Sequence, residues 1–119
     1  MLTDFKIKQN DRRPYLYAVL GPVDVDEETG VVTLTPQDLT GATVTFNMKN
    51  AETGAVVITA GVVAVDVAAA GAVHYVWQAT DTISPGKYLG EFQAQYGTEA
   101  ETFPNDSVGF KITITPQIA

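Results

Sequence analysis

The chain has 119 residues, no cysteine, 45% hydrophobic residues and a formal net charge of −7. That length fits one domain, residues 1–119, able to bury a core without covalent staples, and the missing thiols exclude disulfides and thiolate metal sites. The acidic balance argues against nucleic acid and anionic membrane surfaces as partners, and no apolar run approaches the roughly 20 residues of a membrane-spanning helix.

Residues 1–10 lack the apolar centre of a signal peptide, so synthesis in the cytoplasm is expected. Phe5-Lys6-Ile7-Lys8 alternates and predicts a short first strand. The run Asn10-Asp11-Arg12-Arg13-Pro14 breaks it. Proline removes a ladder donor and pushes its predecessor out of the helical region, so an edge or a crossing between sheets is expected there. Residues 15–20 resume as a strand, with Leu16, Ala18 and Leu20 on one face and Tyr15, Tyr17 and Val19 on the other. Both faces are apolar, so this strand is expected to be covered on both sides.

Residues 22–37 read as an inserted loop or hairpin. Asp24, Asp26, Glu27 and Glu28 form an acidic loop that closes at Thr29-Gly30, and residues 31–35 pair back. Leu39-Thr40-Gly41 is a turn. Residues 42–49 then alternate, with Ala42, Val44, Phe46 and Met48 inward and Thr43, Thr45, Asn47 and Lys49 outward. A hairpin loop at 50–54 leads into a returning strand at 55–60, a further strand at 61–67, and a helical turn at 68–71. Residues 72–79 place Val73, Tyr75 and Trp77 on one face and His74, Val76 and Gln78 on the other.

The stretch 81–96 opens with the turn signal Ser84-Pro85-Gly86. Its strand turns Tyr88, Gly90, Phe92, Ala94 and Tyr96 one way and Lys87, Leu89, Glu91, Gln93 and Gln95 the other. Residues 97–106 read as a loop. Val108, Phe110, Ile112 and Ile114 form the inward face of the last strand, which Pro116 ends. About eight short strands without helical periodicity predict an all-β sandwich.

The chemical inventory is sparse. The single histidine, His74, lacks a nucleophile and an orienting partner in the sequence, so it reads as a sheet-face side chain. With no second histidine and no cysteine, zinc has no ligand set. Asp24, Asp26, Glu27 and Glu28 offer oxygen ligands for calcium, but without EF-hand spacing they read as a solvated turn. Nothing fixes the separation of Glu91 and Asp106 as a glycosidase acid pair. Gly86 and Gly90 flank a strand and do not open a helix, so no phosphate loop is present. Tyr15, Tyr17, Trp77, Tyr88, Tyr96 and Phe103 supply either core or a sugar-stacking platform, with core expected. Arg12-Arg13 is a small basic spot that suits a partner's carboxylates. No residue is assigned a catalytic, cofactor-binding or metal-binding role, and neither enzymatic activity nor a cofactor is expected.

Several motifs nevertheless occur in a telling order. They are Phe5-Lys6-Ile7-Lys8-Gln9-Asn10-Asp11, Asp38-Leu39-Thr40-Gly41-Ala42-Thr43-Val44-Thr45-Phe46-Asn47-Met48, Val73-His74-Tyr75-Val76-Trp77, Asp81-Thr82, Pro85-Gly86-Lys87-Tyr88-Leu89-Gly90-Glu91-Phe92, and Thr102-Phe103-Pro104-Asn105-Asp106. Together they resemble the N-terminal immunoglobulin-like domain of phage baseplate upper proteins, over nearly the whole chain. Residues 22–37 are longer than the usual link in that family. The resemblance implies an immunoglobulin-like antiparallel sandwich of about 7–9 strands and a structural role without chemistry. The chain would dock on other phage tail or baseplate proteins in the virion, after synthesis in the host bacterial cytoplasm. The alternative is a carbohydrate-binding module that aids host-surface attachment. As scaffold, Tyr88 suits a corner position with its hydroxyl on backbone, and Phe103-Pro104 seals a loop over the core. Exposed sheet edges need protection or pairing, so a homo-oligomer through an edge or through residues 22–37 is expected. The working surface is expected at the strand edges and the acidic loop.

Overall fold

The computed structural model describes residues 5–103 and 110–118. Its strands are β1 (Phe5–Lys8), β2 (Leu16–Val19), β3 (Val23–Val25), β4 (Val32–Leu34), β5 (Thr43–Asn50), β6 (Val56–Val67), β7 (Ala72–Tyr75), β8 (Gly86–Tyr96), β9 (Glu99–Phe103) and β10 (Phe110–Thr115). The main strands follow the order β1-β10-β8-β5-β6-β7-β2, with β9 also on β8; β3 and β4 form a separate ribbon. The protein is all-β, as the alternation predicts.

β6 makes this a sandwich. Its first half pairs with β5 and its second half with β7, so one strand belongs to both layers. The larger layer is β1-β10-β8-β5 with β9, and the smaller is β7-β2. Two strands were expected at 55–60 and 61–67, and the structure joins them. Ala60 takes a left-handed φ of 52°, a conformation that costs on the order of 1 kcal/mol outside glycine. The Asn47 side-chain oxygen accepts the Ala60 N–H at 2.8 Å and holds it there. A Cβ on the next residue, Gly61, would lie 2.7 Å from the Tyr75 ring. The crossing therefore needs both the bend and the missing side chain.

The connectivity is that of an immunoglobulin-like sandwich, in which the second, fifth and fourth strands face the third, sixth and seventh. Here β2, β7 and the end of β6 face β5, β8 and β10. All pairs are antiparallel except β1 with β10, which run parallel; the sheet is thus mixed rather than wholly antiparallel. Crossing between layers occurs at residues 9–15, as the proline predicts. β1 lies on the larger layer, β2 on the smaller, and the Trp77 indole N–H donates to the Pro14 carbonyl at 3.1 Å.

The core lies where the alternation places it. Val44, Phe46 and Met48 from β5, Tyr88, Phe92 and Ala94 from β8, and Phe110, Ile112 and Ile114 from β10 are buried, and Trp77 and Tyr75 face them from the other layer. Phe46 is in ring contact with Tyr75, Trp77, Phe92 and Phe110. The ladder of β7 ends at Tyr75, earlier than the expected 79, although Trp77 stays fully buried. The Tyr88 hydroxyl donates to the Ser84 carbonyl at 2.8 Å, forming the expected tyrosine corner.

Two further segments differ from expectation or refine it. Residues 97–106 were expected as a loop, yet Glu99–Phe103 pairs with β8 from Phe92↔Phe103 to Tyr96↔Glu99. Exposed Glu99 and Glu101 hide this strand in the sequence, because a two-sided polar edge lacks an apolar alternation. Phe103 is buried, while Pro104, Asn105, Asp106 and Val108 lie outside the described residues. Residues 22–37 form the hairpin β3–β4, and Gly30, at φ 72°, closes its turn. Residues 68–70 make the expected short helical turn, of 3₁₀ type.

Candidate interaction surface

The two layers turn different chemistries outward. The larger layer shows Lys6, Lys8, Lys49, Lys87, Glu91, Gln93, Thr113 and their neighbours, the polar outer face that an antiparallel sandwich ordinarily presents. The smaller layer does not. Its register aligns Tyr17 with His74 and Val19 with Ala72 across β2 and β7, and Ala64 with His74 and Val67 with Ala72 across β6 and β7. Tyr15, Val62 and Val76 follow on the same side by alternation. Tyr17 is 64% exposed, Val62 87% and Val67 53%. The expectation that β2 is covered on both sides thus fails within the chain: Leu16 is buried, and Tyr17 and Val19 face outward.

An aromatic group sits at the centre of this face. The His74 ring lies 5.8 Å from Tyr15 and 5.1 Å from Tyr17, and the Arg13 guanidinium caps Tyr15 at 5.6 Å. The Asp66 carboxylate meets His74 Nδ1 at 2.8 Å. His74 therefore does have an orienting carboxylate, which the sequence did not reveal. The two residues meet because a bulge between Val65 and Val67 turns Asp66 onto the outer face. Among the described residues no serine or threonine hydroxyl is hydrogen-bonded to the pair, in which the Asp66 carboxylate orients the His74 ring.

The other candidates resolve as scaffold. Trp77, Tyr88 and Phe103 are core. The Tyr96 hydroxyl donates to the Asp38 carbonyl at 2.9 Å and ties β8 to the turn before β5. The Asp38 carboxylate accepts the hydroxyl and the N–H of Thr40, which holds its pKa below the usual carboxylate range. Asp26 accepts the N–H of Glu28 and the N–H of Thr29, closing the acidic turn through backbone. The Glu91 carboxylate accepts from the Asn47 amide, and its imagined partner Asp106 lies outside the described residues. Arg12 donates to the Trp77 carbonyl at 2.9 Å. Among the described residues, no three of His, Asp and Glu converge as metal ligands do.

Burial, reinforced by the Asp81 carboxylate that accepts its hydroxyl bond, raises the Tyr75 pKa well above the ordinary tyrosine value. Asp81 also accepts the Gln78 N–H at 2.8 Å. These bonds fix the corner that leads into β8.

The fold and this face define an immunoglobulin-like β-sandwich with one polar and one charge-poor outer layer. The chain matches no protein-family model and no curated protein.

Proposed function

We propose that the chain is a non-enzymatic structural module of a phage tail or baseplate, working by docking its surface on other virion proteins. The observation that carries this reading is the charge-poor outer face of β2, β7 and β6 on a chain of net charge −7. Interface centres are poor in charge and rich in tyrosine and arginine, and the face presents Tyr15, Tyr17 and Arg13 in one group. The ordered motifs that resemble the baseplate upper protein domain supply the class of partner. Their residues act as scaffold here: Tyr88 forms the corner and Phe92 lies in the core. Localisation in the virion follows from the same reading. The test is antibody labelling or cryo-EM of virions purified from the phage that encodes the chain, with signal expected at the tail or baseplate. No signal on intact particles overturns the reading.

A second reading rests on the Tyr15–His74–Tyr17 group, which is a candidate stacking platform for a sugar ring. Under it, a glycan array of bacterial surface sugars gives binding that Tyr17→Ala abolishes. An array without signal removes it.

A further inference from the structure

A strand edge with free backbone groups is a template for another strand, and proteins guard such edges with charge, proline or bulges. β1 bears exposed Lys6 and Lys8, and β9 bears exposed Glu99 and Glu101. The unpaired halves of β6 are interrupted by register shifts opposite Phe46–Lys49 and between Val65 and Val67. β2 has none of these guards. Its residues are Leu16, Tyr17, Ala18 and Val19, its pairing with β7 is unbroken, and among the described residues nothing pairs with its other side.

The hydrogen-bond phase of this edge is set. The Leu20 N–H donates to the Gly71 carbonyl at 2.8 Å, toward β7. By alternation Leu16 and Ala18 also turn their polar groups to β7, so Tyr17 and Val19 turn theirs to the open side. The strand ends at Leu20, whose carbonyl accepts the Gln37 N–H at 2.8 Å.

We infer that β2 pairs antiparallel with β2 of a second copy, about a two-fold axis at Ala18. In that register Tyr17 faces Val19 of the other copy in a hydrogen-bonded pair, and Val19 faces its Tyr17 in the same way. Both pairs join an aromatic to a β-branched side chain on the outer face, a favourable cross-strand combination. The two Ala18 residues meet in the close, non-hydrogen-bonded position, which their small side chains suit. Self-complementarity is what an isologous two-fold contact requires. Charge selects the same place. Two chains of net charge −7 repel, yet none of the four residues Leu16–Val19 that form the seam carries a carboxylate. The product is a continuous six-stranded layer, β6-β7-β2 joined to its copy, that doubles the outer face. A four-residue seam is far smaller than the roughly 800 Å² per partner of a standard interface, so the pairing is weak and depends on concentration. The inference names a partner for the docking module proposed above and rests on that reading.

Sedimentation velocity over a concentration series tests it, with Val19→Lys and Ala18→Cys as variants. The wild type is expected to shift from monomer toward dimer. Val19→Lys weakens the dimer about tenfold or more, since a charge at the seam guards the edge, while near-ultraviolet circular dichroism stays unchanged. The chain has no native cysteine, so Ala18→Cys introduces a unique thiol. Mild oxidation crosslinks it into a dimer much faster than a Thr113→Cys control, because residues directly opposite in a non-hydrogen-bonded pair lie within disulfide reach. A wild type that stays monomeric throughout, a dimer indifferent to Val19→Lys, or equal crosslinking of the two cysteine variants overturns the inference. None of those results alters virion labelling, which tests the docking role separately.

Discussion

Gly90→Ala tests the packing account at the centre of the larger layer. Gly90 lies on the inward face of β8, between Tyr88 and Phe92. A Cβ there would sit 2.8 Å from Ile112 Cδ1 and 2.9 Å from both Phe110 Cζ and Phe46 Cε1. All three distances are too short for carbon atoms, and Phe46, Phe110 and Ile112 are all buried, so these side chains cannot swing into solvent. Overpacking of this kind costs about 1–3 kcal/mol. Loss of glycine's freedom in the unfolded chain returns roughly 0.4–1 kcal/mol. The net is a destabilisation of about 0.5–2 kcal/mol, a drop in melting temperature of roughly 2–8 °C for a domain of this size. Urea unfolding measures it as a lowered midpoint at constant m-value. The nearest atom belongs to Ile112, so adding Ile112→Val removes that methyl and recovers part of the loss, a coupling a double-mutant cycle reads directly. A Gly90→Ala variant as stable as the wild type, or a double variant that is simply additive, refutes this packing.

Three other variants probe separate parts of the chain. Tyr88→Phe removes the bond to the Ser84 carbonyl and should cost about 0.5–1.5 kcal/mol by urea unfolding. Tyr75 has a raised pKa in the folded state, so folding favours its neutral form; that stability is complete below the unfolded value near pH ~10 and falls as pH rises past it. Alkaline unfolding should show this extra loss in the wild type and not in Tyr75→Phe. Asp66→Ala breaks an exposed pair with His74 and should change stability by no more than about 1 kcal/mol; a larger effect would show that the outer face is part of the core.

The sequence was most readable where one face meets the core. Val44, Phe46 and Met48, and Tyr88, Phe92 and Ala94, alternate without interruption and are buried as expected. Tyr88 was legible as a corner because its turn precedes it directly. β9 was not legible, since Glu99 and Glu101 face water and only backbone bonds to β8 define the strand. The passage of β6 between layers was not legible either, because it depends on the Asn47 bond to Ala60 and the Tyr75 ring beside Gly61. The candidate surface was half visible. Tyr15, Tyr17 and Val19 stood out as a second apolar face, and that pattern reads equally as a strand buried on both sides. The meeting of Asp66 with His74 depends on a bulge that leaves no local signature. Of the acidic residues 24–28, expected as part of the working surface, Asp26 uses its carboxylate to close its own turn, a local role that the charge pattern does not announce.

The central claim, that this sandwich serves as a docking module in a phage particle, is tested most directly by labelling intact virions of the encoding phage with antibody raised against the chain. The account predicts discrete signal at the tail or baseplate, diminished when Tyr17→Lys places a charge on the outer face. Purified, infectious virions that carry no copy of the chain would contradict it.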